Sequence, residues 1–218
     1  MRKGVISLCD YTGIFTKPWH ESGYSVLHVD PQREGNGTIL EMIPKIRHFI
    51  TTRNIVLVAG FPPCTDVAVS GAAHFEKKRQ SDPHFQAKAA LIAEQCRMVG
   101  ELSGAPWFFE NPVSVFSSIF GVPDYSFHPY EFGGYLPEDD VHPEWPEIIK
   151  PRDAYPKKTC LWIGGGFELP EKKPVNVDSG YSDQHNKLGG KSLRTKNIRS
   201  ATPRGFAQAV FEKYGGLT

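Results

Sequence analysis

Cys64 stands in Gly60-Phe-Pro-Pro-Cys64, a polar loop that directly follows the apolar run 54–59. Core cysteines rarely follow Pro-Pro in a loop, and a loop thiol is open to activation, so Cys64 is a candidate nucleophile. Further along, a second apolar run ends in Glu110-Asn111-Pro112. A carboxyl at a strand end beside a thiol is a candidate general acid or hydrogen-bonding group. The bland alternatives are a core cysteine and a structural strand-end glutamate. For Cys96, which falls on an apolar helical stripe, the bland reading holds. Two other carboxylates share the strand-end placement. Asp10 lies in Cys9-Asp10-Tyr11-Thr12-Gly13 after the first apolar run, and Asp30 precedes Pro31 after the second. Asp30 is placed to bond ribose hydroxyls, as the acidic residue of dinucleotide-binding folds is, with a turn or cap residue as the alternative.

The elements that would position these groups alternate. Strands are expected at Gly4–Cys9, Tyr24–Val29, Asn54–Ala59, Pro106–Glu110 and Lys158–Ile163. Helices are expected from the first turn to about Gly23, over 38–52, over 83–102 and over 203–213, with a loop over 60–82. In the clearest helix Phe85, Ala89, Ile92, Cys96, Val99 and Leu102 recur at spacings of four and three. Strands alternating with helices imply an α/β fold with a doubly wound, mostly parallel sheet. Ligands of such sheets bind beyond the carboxyl ends of the strands, where the conspicuous residues all stand. Pro203 near the start of the last helix suits a first turn.

Composition narrows the class. Hydrophobic residues at 39% and charged residues at 22% describe a globular chain, and 218 residues suffice for one cored domain. A net charge of +1 means that any nucleic-acid surface must come from local clustering. Four cysteines without C-x-x-C spacing and eight scattered histidines give no disulfide framework and no metal site. No apolar run reaches membrane-spanning length and no signal peptide is evident, so a cytoplasmic protein is expected.

Taken together, the motifs resemble the cytosine-C5 DNA methyltransferase family over most of the chain, especially its short, phage-associated members lacking a target-recognition domain. Gly60-Phe-Pro-Pro-Cys64 with the trailing Ser70-Gly71 is similar to the nucleophile motif. Glu110-Asn111-Pro112 is similar to Glu-Asn-Val, with Pro for Val. Ser7-Leu-Cys-Asp-Tyr-Thr-Gly13 resembles the cofactor motif, and the segment from Arg199-Ser200 to Ala207 the C-terminal one. The resemblance implies a class I S-adenosylmethionine-dependent methyltransferase (Rossmann-like) fold. It treats 1–218 as one catalytic domain, with 164–204 a reduced insert and basic segment in place of the recognition domain.

The implied chemistry needs these residue types. Cytosine C5 is a poor nucleophile, so a thiolate must first add at C6, and Cys64 takes that role. Glu110, with Asn111 beside it, holds the opposite edge of the base at N3 and the exocyclic amine. The cofactor, S-adenosylmethionine, is expected against Cys9, Asp10, Tyr11, Thr12 and Gly13 of the first loop. There Gly13 permits a tight turn and the next helix start receives a carboxylate. Asp30, Pro31, Thr38, Pro62, Arg199 and Ser200 complete the implied cofactor set. Tyr11 stands for the family's first glycine, and Thr38 for the aspartate that contacts adenine.

Two departures bear on partner and donor. Arg199 occupies the place of a small neutral residue near the sulfonium, where a guanidinium is unfavourable. It becomes favourable if the donor is carboxy-S-adenosylmethionine, whose carboxylate it would clamp, giving 5-carboxymethylcytosine. Its alternative is a phosphate contact. The expected partner is DNA, with cytosine flipped from the duplex or presented in a single strand. Ser70, Lys157, Lys158 and the basic stretch with Lys187, Lys191, Arg194 and Arg204 would meet it, tracking phosphates with little base reading. A solvated loop is the alternative for the stretch. RNA is a second substrate compatible with that stretch, which speaks against a free nucleotide. A non-catalytic binding module is the third reading, and an intact Cys64 and Glu110 speak against it.

Overall fold

Lys3–Leu8 forms strand β1, and five of its six residues are buried, as a strand covered on both faces requires. In this computed structural model, which describes residues 1–177, 184, 187–189 and 192–216, β1 is flanked in parallel by β2 (Ser25–Val29) and β3 (Asn54–Gly60). Strand β4 (Trp107–Pro112) pairs in parallel with β3. Beyond it β6 (Thr159–Gly164) runs antiparallel, and β5 (Tyr125–Phe127) ends the six-stranded order β2-β1-β3-β4-β6-β5. The architecture is therefore α/β with a mixed, mostly parallel sheet.

Among the helices, α1 (Lys17–Glu21) is shorter than the sequence suggests, and α2 (Ile43–Thr52) begins later. Residues before Ile43 form turns, stabilised by Thr38, whose N–H and hydroxyl both donate to Glu41 at 2.8 Å. The expected loop over 60–82 contains a 3-10 turn (Val69–His74) and helix α3 (Phe75–Ser81). One aromatic ring in a charged segment makes no apolar stripe, so periodicity does not reveal α3. Its Phe75 meets Phe85 edge-on at 5.8 Å.

Helix α4 (Phe85–Ser103) buries Phe85, Ala89, Cys96 and Val99 as expected, but continues the stripe through Ala93 and Gly100. Leu102, assigned to the stripe, is 73% exposed. The helix lies too close to β4 for bulk there: a Cβ on Gly100 would stand 2.3 Å from Trp107. Gly104, at a φ of 67°, ends the helix with a left-handed cap.

The chain divides into two compact units. The first comprises 1–11, 23–126 and 159–168, and the second 12–22, 127–158 and 169–218. In the first, Phe109 stacks on Trp162 with centroids 5.1 Å apart, inside a core that includes Ile6, Leu8, Val58 and Cys96. The second is built on Phe127, Phe132 and Phe206, with Phe127 and Phe206 stacked at 4.4 Å. It contains α6 (Leu193–Ser200) and α7 (Arg204–Tyr214), besides the short α1, while α5 (Phe116–Ile119) belongs to the first unit.

Arg204 has a different place from the phosphate contact expected of it. It is largely buried and bidentate to Asp140, at 2.7 and 2.6 Å. Asp153 accepts the Gly205 N–H at 2.8 Å and so caps α7 from a distant loop. Removing one member of such a buried pair leaves the other charge uncompensated, at a cost of roughly 3–5 kcal/mol. Arg204→Ala should therefore lower the denaturation midpoint sharply. A phosphate-contact role alone predicts an unchanged midpoint and a weaker salt dependence of nucleic-acid binding.

Candidate active site

Parallel pairing aligns four strand ends. Val29 pairs with Leu8, Leu8 with Gly60, and Gly60 with Phe109. The residues that follow are Asp30, Cys9, Phe61 and Glu110, so the suspected groups line up at one edge of the parallel strands, where Glu110 still pairs with Leu161 of β6. The next backbone bonds continue the row, with Cys9 N–H on the Val29 carbonyl at 2.7 Å and Phe61 N–H on the Leu8 carbonyl at 2.9 Å. Strands β2 and β3 lie on opposite sides of β1. The β1 and β3 exits thus form the topological switch point, where open α/β sheets bind ligands.

The exit of β3 carries the thiol. Pro62 is buried and Cys64 half-buried. The Cys64 carbonyl accepts the N–H groups of Val67 at 3.1 Å and Ala68 at 2.9 Å, closing a turn. Lys78 of α3 clamps that turn through the Thr65 carbonyl and the Asp66 carboxylate, both at 2.7 Å. The exit of β4 carries the acid, and the two exits are tied together. Asn111 Nδ2 donates to the Pro62 carbonyl at 2.8 Å in a buried hydrogen bond. Val69 N–H reaches the Val113 carbonyl at 3.0 Å, and Val115 N–H the Val67 carbonyl at 3.1 Å, around the Ala68–Ser114 bridge. Asn111 is 1% exposed, and its Oδ1 has no hydrogen-bond partner among the described residues. Its position makes it a brace for the thiol loop. Glu110 beside that brace is half-buried.

At the β1 and β2 exits stand two buried carboxyls, Asp10 at 4% and Asp30 at 5% exposure. Ser7 donates to Asp10 at 2.8 Å, and Gln32 N–H to Asp30 at 2.8 Å. Burial raises the Asp30 carboxyl above its ordinary range, and the nearby Asp10 adds to the rise. The Gln32 N–H and Arg33 oppose it. Arg33 donates to the Tyr11 carbonyl at 2.7 Å and so holds the first loop, while the Tyr11 side chain and Pro31 are exposed. Thr38, with its hydroxyl on Glu41, acts as a turn cap. Ser7, the first residue of the quoted cofactor motif, supports the site, as do Arg33 and Lys78, which no motif announces.

The remaining suspected residues lie in the second unit or at its surface. Gly13 adopts a φ of 69°, open to glycine at no cost, and its carbonyl accepts Thr16 N–H at 3.1 Å. Thr12 accepts the Ile14 N–H at 3.4 Å. The Arg199 guanidinium donates to the Leu188 carbonyl, and Lys157 to the Arg199 carbonyl at 2.7 Å. Lys187 donates to the Glu147 carbonyl at 2.8 Å, and Arg194 pairs with the Glu147 carboxylate at 3.7 Å. Lys158, Ser200 and, in the first unit, Ser70 are exposed. Lys191 lies outside the described residues. Among those described, no cluster of metal-ligating side chains occurs and no helix is long and apolar enough to cross a membrane.

The brace makes a direct prediction. Asn111→Leu keeps the volume but leaves the Pro62 carbonyl buried and unpaired, at a cost of about 1–3 kcal/mol. Chemical denaturation should register that loss, and an unchanged midpoint would mean that the exits do not depend on Asn111. No protein-family model and no curated protein matches the chain.

Proposed function

We propose that the chain is an S-adenosylmethionine-dependent cytosine-C5 methyltransferase acting on DNA, on a class I methyltransferase fold. The observation that carries the reading is the bracing of the Cys64 loop against the Glu110-Asn111 strand end, beside the switch point. A thiol and a carboxyl on neighbouring strand exits suit covalent addition to a ring whose far edge must be held by an acid.

The residues at the β1 and β2 exits fit the cofactor by chemistry. Asp10 and Asp30 offer carboxyl oxygens that accept hydrogen bonds, whereas S-adenosylmethionine brings ribose hydroxyls, an ammonium and a sulfonium. Asp30 would take the hydroxyls, and the exposed Tyr11 lies on the same loop as Asp10. When bound, the cofactor supplies an electrophilic methyl group. Methyl is the group carried forward, with carboxymethyl from carboxy-S-adenosylmethionine as the alternative; one N–H of the Arg199 guanidinium goes to the Leu188 carbonyl.

In this reading the Cys64 sulfur bonds to C6 and the ring electrons move to C5. Glu110 holds N3 and the exocyclic amine as that charge develops. After substitution, loss of the C5 proton and cleavage of the C6–S bond return the Cys64 thiolate. Phosphates would be met by exposed cations, and Lys77 of α3 is exposed whereas Arg204 is largely buried.

Nucleoside mass spectrometry after incubation with labelled cofactor and DNA should find 5-methylcytosine. DNA carrying 5-fluorocytosine should trap the protein covalently. Cys64→Ala should give neither product nor adduct, and turnover by this variant at a rate comparable to wild type would refute the mechanism. Product on RNA alone would move the reading to an RNA enzyme. Glu110→Gln should slow the reaction by roughly 10²–10⁴, the usual worth of a positioned acid, while leaving the melting temperature unchanged. Asp30→Asn should weaken cofactor binding by about 1.5–3 kcal/mol, as loss of a hydrogen bond to a charged acceptor does.

A further inference from the structure

Four cysteines are present, and the proposed reaction uses the sulfur of only one, Cys64. Cys160 is buried on β6, whereas Cys9 and Cys96 are together. Cys9 is the half-buried residue after β1, and Cys96 is buried on α4. Cys9 packs against the core cluster that contains Cys96, and its nearness adds to the rise that burial gives the Cys96 thiol. The sheet explains their closeness. Gly60, paired with Leu8, is so tightly covered by α4 that a Cβ there would lie 2.7 Å from the Cys96 Cβ and 2.9 Å from its sulfur. Cys96 therefore rests on the end of β3, next to the end of β1. Cys9 holds a left-handed φ of 58°, uncommon for a residue with a Cβ, and both the Val29 and Leu8 carbonyls are bonded around it.

We infer that Cys9 and Cys96 form a dithiol oxidation site, in which a hydroperoxide oxidises Cys9 and Cys96 closes a disulfide with it. The Cys9 sulfur attacks the peroxide oxygen and gives up two electrons, the O–O bond breaks, and an alcohol or water leaves. The product is a sulfenic acid at Cys9. The Cys96 sulfur then attacks the Cys9 sulfur, the S–O bond breaks, and the oxygen leaves as water with the Cys96 proton. The two thiols differ in a way that orders these steps. Cys9 is partly accessible, while Cys96 is buried, and burial pushes its thiol well up. On the proposed reading of the switch point, which this consequence rests on, the disulfide ties the β1 exit to α4 and lowers cofactor affinity.

The test uses the full chain carrying Cys64→Ser, so that the loop thiol takes no part. After hydrogen peroxide, free thiols are alkylated and unreduced peptides are mapped by mass spectrometry. A Cys9–Cys96 cross-linked peptide, lost on reduction and absent from Cys9→Ser and Cys96→Ala, is the expected result. Circular dichroism melts of both variants check that they fold, and either one suffices as the control. Cys9 accumulating as sulfinic acid with Cys96 alkylated, or a different cysteine pairing, overturns the proposal. Calorimetry with S-adenosylmethionine should give at least tenfold weaker binding after oxidation. Equal affinity in both states removes the coupling alone. A reduced chain that binds no cofactor counts against the proposed function and leaves the peptide map to decide the disulfide.

Discussion

One backbone ladder sets the geometry on which the candidate site depends. Its last row joins Val29, Leu8, Gly60 and Phe109. Register matters in these buried strands because a slip of one residue would exchange the side chains packed on their two faces. With the register set, Cys9, Asp30 and Phe61 leave the sheet side by side, and Glu110, still paired with β6, stands next to them. No side chain has to be recruited from afar. The thiol loop still needs support once it leaves the sheet, and Asn111, the Ala68–Ser114 bridge and Lys78 supply it. The candidate nucleophile is thus held from three directions: by the neighbouring strand end, by the loop beyond it, and by a helix downstream.

The same ladder demands close packing above it. Helix α4 lies so close to the sheet that glycine is needed at Gly60 beneath Cys96 and at Gly100 against Trp107, and Gly164 on β6 meets the same Trp107 ring. Bulk at any of these points would lift the helix or the neighbouring strand. The contact that brings Cys96 down to Gly60 also brings it to Cys9. A packing constraint therefore produces the thiol pair, and its chemistry follows from the packing.

In the second unit buried charge does structural work. Asp140 and Arg204 form a bidentate pair, Asp140 also accepts the Arg152 N–H at 2.7 Å, and Asp153 caps α7. Burial raises the Asp153 carboxyl to about 6 despite that cap bond. It lowers the nearby His142 to about 4. The two act in opposite senses on stability. As the pH rises from the unfolded aspartate value to about 6, stability contributed by Asp153 is lost. Between about 4 and the unfolded histidine value, stability is gained as His142 becomes neutral in the unfolded chain as well. Basic residues that read as a phosphate track in sequence are thus partly internal to this unit, because carbonyls and acids distant in the chain fold against them.

Much of the first unit was legible in the sequence. Buried parallel strands are continuous apolar runs, so β1, β3 and β4 stand out, and polar or acidic residues that end such runs fall at the ligand-binding edge. Cys64, Glu110 and Asp30 are visible for that reason. Segments without a stripe were not legible: α3 has one packed ring, and β5 spans three residues. Nor were pairings between distant residues. Nothing local marks Arg204 as the partner of Asp140, Asn111 as the brace of Pro62, or Cys96 as the neighbour of Cys9. Periodicity records which face of an element is apolar, and so determines elements and strand ends. Which polar groups meet across those elements depends on register, helix height and glycine clearance, and these the tertiary structure alone decides.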